Sequence, residues 1–243
     1  MATFRERMIR IFYPNRCVIC DRALPPGPVV CEDCTPKLLT YPKGRKAVCP
    51  ICGFKEKDCT CGKWRYYDRS VFPVYFEGDM RRSVHAFKFN GRLDKAKPLA
   101  ALIIDVLHQR DMLQGIDCIT YVPMCKNRLR KRGYNQAQQL AHAIGKETGL
   151  PVDDLLYKCQ DTPSQHDQNA IRRQGNLLGV YEPYPDKLDA INGKRILLTD
   201  DIITTGATLN EAAKTLLIFG AKTVYVCAAA GRRRQIQNPK ASS

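Results

Sequence analysis

The chain of 243 residues has no run of about 18 apolar residues, so no membrane-spanning helix is expected. Its first residues, MATFRERMIRIFYPNRC, are basic but have no long apolar core and no small-residue cleavage site. No secretory leader is therefore expected, Phe4 to Tyr13 reads as a first helix packing on the body, and the expected compartment is the cytoplasm. Acidic residues are scarce: 24 Asp and Glu stand against 39 Lys and Arg, a net charge of +15. Such an imbalance speaks of partners, not of fold, and the candidates are nucleic acid, nucleotide polyphosphates and anionic membranes. There is no Gly-Lys-Ser/Thr loop and no GxGxxG, which excludes Walker and dinucleotide-binding loops. No low-complexity tract, no repeat beyond pairs of cysteines and no motif that reads a nucleobase is present.

Residues 1–64 also lack any long helical period or strand pattern. What they do hold is cysteine: Cys17, Cys20, Cys31, Cys34, Cys49, Cys52, Cys59 and Cys61, while Cys118, Cys125, Cys159 and Cys227 are scattered. A segment this short cannot build its own core and needs a staple. Disulfides and a redox CxxC are both conceivable, but metal binding is the better reading without a secretory leader. Two thiolates two residues apart aim into one turn, and two such pairs complete the closed tetrahedron of structural zinc. The pairs Cys17/Cys20 and Cys31/Cys34 form one set of four; Cys49/Cys52 and Cys59/Cys61 form a second, giving about two zinc ions in a double zinc-ribbon-like module. Sequential sites are favoured, with interleaved pairing left open. The composition changes near residue 65. Residues 65–231 alternate strands and helices: strands at 70–76, 117–123, 194–199 and 223–230, and helices at 77–89, 95–110, 135–149 and 208–219, the last capped by Gly220. That order predicts an α/β domain with a parallel sheet covered on both faces. Residues 232–243 read as a disordered tail.

One stretch carries the chemistry. ILLTDDIITTGAT, Ile196 to Thr208, sets two carboxylates, Asp200 and Asp201, at the carboxyl end of a buried strand, where open α/β sheets bind ligands. The following Thr204, Thr205, Gly206, Ala207 and Thr208 offer hydroxyls, backbone N–H groups and a helix N-terminus to an anion. Adjacent carboxylates suit vicinal hydroxyls or magnesium, so the stretch asks for a phosphorylated sugar. A helix cap needs only one such residue, and this stretch offers five.

Ile196–Thr208 resembles the phosphoribosyl pyrophosphate loop of type I phosphoribosyltransferases. That resemblance implies Asp200 and Asp201 on the ribose hydroxyls, Thr204 to Thr208 on the 5′-phosphate, and magnesium with the ligand. Three more stretches, VPMCKNRLRKRGYNQAQQLA (Val122–Ala141), HAFKFNGR (His85–Arg92) and TPSQHDQNAIRRQGNLLGVY (Thr162–Tyr181), are similar to segments of the ComF family. ComF proteins join an N-terminal zinc module to a domain of the phosphoribosyltransferase type. The resemblance implies handling of incoming single-stranded DNA in natural transformation, with a competence helicase as a partner. It also places Arg128, Arg130, Lys131 and Arg132 in a loop facing pyrophosphate, where Arg132 is the candidate catalytic clamp beside the aspartates. Lys88, Tyr134 and Asn135 are candidate ligand contacts, although for Lys88 and its neighbour His85 a partly exposed helix face explains them equally well. Residues 160–178, with Arg172, Arg173 and Asn176, take the position of a loop that closes over the ligand. Trp64, Tyr66 and Tyr67 lie among Lys63, Arg65 and Arg69, an arrangement that suits base stacking or, equally, a linker packed on the domain. Phosphoribosyl transfer in nucleotide salvage and a ligand-sensing scaffold are the competing functions.

Overall fold

The structure, a computed structural model, describes residues 15–39, 48–49, 51–55, 58–59, 61, 65–159 and 180–233. Phe4–Tyr13, Trp64, residues 160–178 and the end of the tail lie outside them, so the expectations placed there are neither met nor contradicted. The chain opens with β1 (Asn15–Arg16) and β2 (Ala23–Leu24), an antiparallel ribbon flanking the first CxxC turn. Then follow β3 (Arg69–Val71), α1 (Gly78–Phe89), α2 (Ala96–Gln109), β4 (Cys118–Tyr121), α3 (Lys126–Arg132) and α4 (Gln136–Thr148). β5 (Leu156–Lys158) and β6 (Tyr181–Pro183) pair antiparallel on either side of residues 160–179. The last elements are α5 (Leu188–Ile191), β7 (Arg195–Ile203), α6 (Ala207–Ile218) and β8 (Thr223–Gly231).

The main sheet is parallel throughout, in the order β3-β8-β7-β4. β4 is buried along its whole length, and Val226 to Gly231 of β8 are buried on both pleat faces, which requires cover on each side of the sheet. α2 packs on α4 and on β8, α4 lies along β4 and β7, and α6 packs on β7, β8 and β6. The parallel α/β architecture is the one the alternation of patterns predicts.

Three details correct the sequence reading. The strand expected to stop at Thr199 runs on to Ile203, because β8 continues to pair with it from Asp200↔Ala228 to Ile203↔Gly231. Lys126–Arg132, expected as a loop, is a helix of its own, closed by Gly133 at φ 80°. Phe219 caps α6, one residue before the expected Gly220, which follows it at φ 94°.

The cysteine segments do not stand apart from the sheet. Leu39 N–H donates to Pro73 O at 2.7 Å, Ser70 N–H to Ile51 O at 2.6 Å, and the Ser83 hydroxyl to Val18 O. Asp21 accepts Lys95 Nζ at 3.1 Å and Arg92 at 3.3 Å, and Lys95 is only 4% exposed. A buried ammonium without its carboxylate is costly. Asp21→Asn is therefore expected to lower stability by about 1–3 kcal/mol, read as a shifted urea midpoint. Burial opposes ionisation of Asp21, but Arg92 and Lys95 outweigh it and depress its pKa. Its contribution is then complete above the usual carboxylate range and is lost as pH falls through the depressed value, so the variant and the parent should converge in acid.

Candidate functional site

The two cysteine sets form two separate clusters, Cys17/Cys20/Cys31/Cys34 and Cys49/Cys52/Cys59/Cys61, with the sulfurs of each within 4.8 Å of one another. All twelve cysteines are free. The spacings Cys20–Cys31 (3.6 Å), Cys49–Cys61 (3.4 Å) and Cys52–Cys59 (3.7 Å) are too long for a disulfide. They approach the edge of about 3.8 Å of a tetrahedron with zinc–sulfur bonds near 2.3 Å. The donor set thus fits two zinc ions in closed, sequential sites.

The same turn is used twice. In the first, Cys17 N–H donates to Arg22 O and Asp21 N–H to Cys17 O; in the second, Cys49 N–H donates to Phe54 O and Gly53 N–H to Cys49 O. The fifth residue of each turn is left-handed, Asp21 at φ 66° and Gly53 at φ 71°. Asp tolerates this region better than most side chains and glycine best of all. Burial works against ionisation of Cys17 and Cys49, yet backbone N–H groups (of Cys20, Cys31 and Ile19 for the first, of Cys52 and Ile51 for the second) outweigh it and bring both down to about 7. Cys118 and Cys227 behave differently: burial pushes them up to about 11 and about 12, as suits packed, inert thiols.

The second candidate centre lies at the carboxyl end of β7. β4 pairs with β7 only as far as Tyr121↔Thr199, with Val122 N–H closing the ladder on Thr199 O at 3.0 Å. From Asp200 onward this ladder no longer covers the β4 side of β7. Asp201 N–H donates to Asp200 Oδ1 at 2.7 Å, and Lys88 Nζ of α1 reaches Asp201 Oδ2 at 2.7 Å. Side-chain exposure in that ion pair is 20% for Lys88 and 14% for Asp201. Burial, with the neighbouring Asp201 carboxylate, pushes Asp200 up to about 8. One ion-paired and one readily protonated carboxyl thus share the strand end, with Lys88 as the cation within reach. Beyond them Thr204, Thr205, Ala207 and Thr208 are exposed, while Gly206 is buried at φ 79° and caps α6 without a side-chain bond. Thr205 Oγ1 accepts Ala207 N–H at 3.3 Å. The left-handed glycine and the first turn of a 12-residue helix leave backbone donors facing outward, the geometry of an anion site.

The remaining candidates are brought to the same edge in different ways. Asn135 caps α4: its Oδ1 accepts Ala137 N–H and its Nδ2 donates to Val122 O, both at 3.0 Å. Tyr134 donates its hydroxyl to Phe87 O, and Gln136 Nε2 donates to Lys88 O at 3.2 Å. These bonds tie the start of α4 to the end of α1 and hold Lys88 beside β7. Arg132 lies over the ring of Phe89 at 4.6 Å and donates to Gln136 Oε1 at 3.2 Å. His85 does not join the carboxylates; it stacks on Phe89, 4.6 Å between centroids. Arg128 acts electrostatically on the buried Tyr181, as does Asp200, which places all three in one neighbourhood. Lys126–Arg132 as a whole has no buried residue.

Tyr67 departs from expectation: it is 4% exposed and cannot stack on a base. Tyr66 is half-buried, with the Lys214 ammonium over its ring. The linker reading of this stretch holds for both. Phe89 and Gln136 are contacts that residue-by-residue reading missed. Phe89 lies inside a quoted motif but has no chemistry of its own, and only its exposure marks it.

The chain matches the phosphoribosyl transferase domain family over residues 99–242. Among curated proteins it is similar to the DNA utilization protein YhgH of Salmonella typhimurium, 31% identical over 75% of this chain and 83% of the relative. It is also similar to YhgH of Escherichia coli O157:H7, 29% identical over 88% and 95%, and to competence protein F of Haemophilus influenzae, 27% identical over 88% and 96%. The chain therefore belongs to the phosphoribosyl transferase domain family and, within it, to the ComF group. Among the described residues no helix is long and apolar enough to cross a membrane.

Two outcomes follow. Metal analysis of reduced, folded protein is expected to give about two zinc per chain, and Cys52→Ser about one. Because folding raises the Asp200 pKa, that residue favours the fold below its ordinary pKa, and the benefit is lost as pH rises toward 8. Asp200→Asn should thus stabilise the ligand-free protein increasingly between pH 5 and 8, by at most about 1.4 kcal/mol per pH unit, measured as unfolding free energy against pH.

Proposed function

We propose that the end of β7 is a magnesium-dependent binding site for phosphoribosyl pyrophosphate, in a protein that handles incoming single-stranded DNA in the cytoplasm. The observation that carries this reading is the paired Asp200 and Asp201 standing directly before the left-handed Gly206 and the N-terminus of α6. Asp200 and Asp201 accept the ribose hydroxyls, and Thr204 to Thr208 surround the 5′-phosphate. Arg132, with Arg128, Arg130 and Lys131 of α3, faces the pyrophosphate. Magnesium fits this donor set because two carboxylates and a diphosphate supply the oxygen ligands it prefers, and it would neutralise diphosphate charge when bound. The names of the relatives, a DNA utilization protein and a competence protein, support the biological setting. The net charge of +15 supports contact with nucleic acid, and a competence helicase is the partner the family suggests.

The chemistry supported by the site is displacement at the ribose anomeric carbon. An acceptor nucleophile forms a bond to that carbon, the bond to the pyrophosphate oxygen breaks, and pyrophosphate leaves with the electron pair. Arg132 and its neighbours on α3 stabilise the departing charge, and the aspartates hold the ring in place. Lys88 holds the Asp201 carboxylate in an ion pair until the ligand arrives. The acceptor decides between transfer in nucleotide salvage and a site that only senses its ligand.

Calorimetric titration of phosphoribosyl pyrophosphate with magnesium tests the reading. The parent should bind, and Asp200→Asn/Asp201→Asn should weaken binding by about 100-fold or more. Affinity should rise with pH up to about 8, since Asp200 must lose its proton to bind the metal. Zinc-loaded, folded protein that takes up no ligand would sink the proposal.

A further inference from the structure

Residues 65–67 leave the second cysteine cluster and cross the first turn of α6. Tyr66 N–H donates to Asn210 Oδ1 at 2.8 Å, and Lys214 stands 5.6 Å from the centre of the Tyr66 ring. The next side chain, Tyr67, is buried with its hydroxyl 3.2 Å from the point where a Cβ on Gly206 would stand. Arg65 Nη1 donates to that hydroxyl at 2.6 Å, and its guanidinium carbon lies 5.5 Å from the centre of the Tyr67 ring. The guanidinium therefore stands two short contacts from the residue at which the phosphate loop turns into α6.

Arg65 also differs from the cations of α1 and of the turn that follows it. Lys88 is paired with Asp201, Lys95 with Asp21, and Arg92 with Asp21 and Asp94. Among the described residues no carboxylate lies within ion-pair distance of Arg65. A guanidinium held at one edge by a buried hydroxyl, with no carboxylate partner among the described residues and next to the first turn of α6, is arranged to meet phosphate oxygens.

The hydroxyl that holds it is tied back to the cysteine cluster. Ser70 Oγ donates to Cys52 O at 3.0 Å and Ser70 N–H to Ile51 O at 2.6 Å. Burial raises the pKa of the Tyr67 hydroxyl, against the opposing effect of Arg65. The second CxxC turn is thus bonded to Ser70, three residues beyond the tyrosine whose hydroxyl stands at Gly206.

We propose that Arg65, delivered by the second cysteine cluster and positioned by the Tyr67 hydroxyl, is a binding residue for the 5′-phosphate of the ligand. This rests on the sugar-phosphate reading of the β7 site and extends it: the cysteine module supplies part of the subsite. Tyr67 is a positioning residue, acting through Arg65 and Gly206.

The test is calorimetric titration of the full, zinc-loaded chain with ribose 5-phosphate, with phosphoribosyl pyrophosphate plus magnesium, and with pyrophosphate plus magnesium. The variants are Arg65→Ala, Arg65→Lys and Tyr67→Phe, each checked for parental zinc content and melting temperature. Arg65→Ala should weaken both phosphorylated sugars by about 10- to 100-fold while pyrophosphate affinity stays within about twofold. Arg65→Lys should recover part of the loss, and Tyr67→Phe should show a smaller loss with the same ligand selectivity. The inference is overturned if Arg65→Ala binds ribose 5-phosphate like the parent, or if pyrophosphate affinity falls equally, which marks a general effect of charge. In the first case, with the parent binding phosphoribosyl pyrophosphate, the sugar-phosphate reading stands without Arg65. Should the parent bind neither sugar, both fail.

Discussion

Two carboxylates on consecutive residues at the end of a buried strand repel each other, and the surroundings of β7 follow from how that repulsion is met. Asp201 is neutralised by Lys88 across a gap that only tertiary packing creates. Asp200, more deeply set, is pushed toward its protonated form. Holding Lys88 in place requires α1 to end beside β7, and the bonds from Tyr134 and Gln136 to the backbone at the end of α1 secure that end. The start of α4 is secured in turn by Asn135, whose side chain joins the helix cap to Val122 at the end of β4. The carboxylate pair is thus an unfavourable arrangement in the free protein, held by three elements around it, of the kind a cationic or hydroxyl-bearing ligand would relieve.

The cysteine segments solve a different problem with related means. They have too little apolar sequence to fold alone, so each contributes a four-sulfur cluster and a turn whose backbone N–H groups favour thiolate. Their few buried side chains, Val18, Ile19 and Phe54 among them, join the same hydrophobic core as the sheet. Phe54 packs on Phe72 at 4.7 Å, and Asp21 is held by Arg92 and Lys95. The module is therefore a wedge against β3, α1 and α2 and not an appended bead. The same packing places Tyr66 and Tyr67 against the turn at Gly206 and the start of α6.

Membership of the phosphoribosyl transferase domain family and the ComF group agrees with this architecture. The parallel sheet and the acidic strand end belong to the first, and the cysteine module to the second. A fold alone does not define an activity. Here the functional reading rests on particular side chains, chiefly the two aspartates and the glycine that turns the loop.

The sequence by itself determined the parts whose evidence is local. Paired cysteines at fixed spacing announce metal turns, because two sulfurs on one turn need no distant partner. The acidic pair, followed by a threonine-glycine loop after a buried strand, announces an anion and sugar site, because all its groups come from one strand–turn–helix unit. Alternating patterns revealed the parallel α/β class. Tertiary structure alone decided which groups come from far along the chain. It extended β7 through the aspartates because β8 runs beside them, and it made Lys126–Arg132 a helix. It gave Lys88 a partner 113 positions away in Asp201, where sequence could only weigh a site residue against an exposed face. It buried Tyr67, which by sequence looked equally fit to stack on a base, and left Arg65 near the turn at Gly206. Contacts of this kind depend on how helices and turns settle around the core, and no local pattern of residues encodes that.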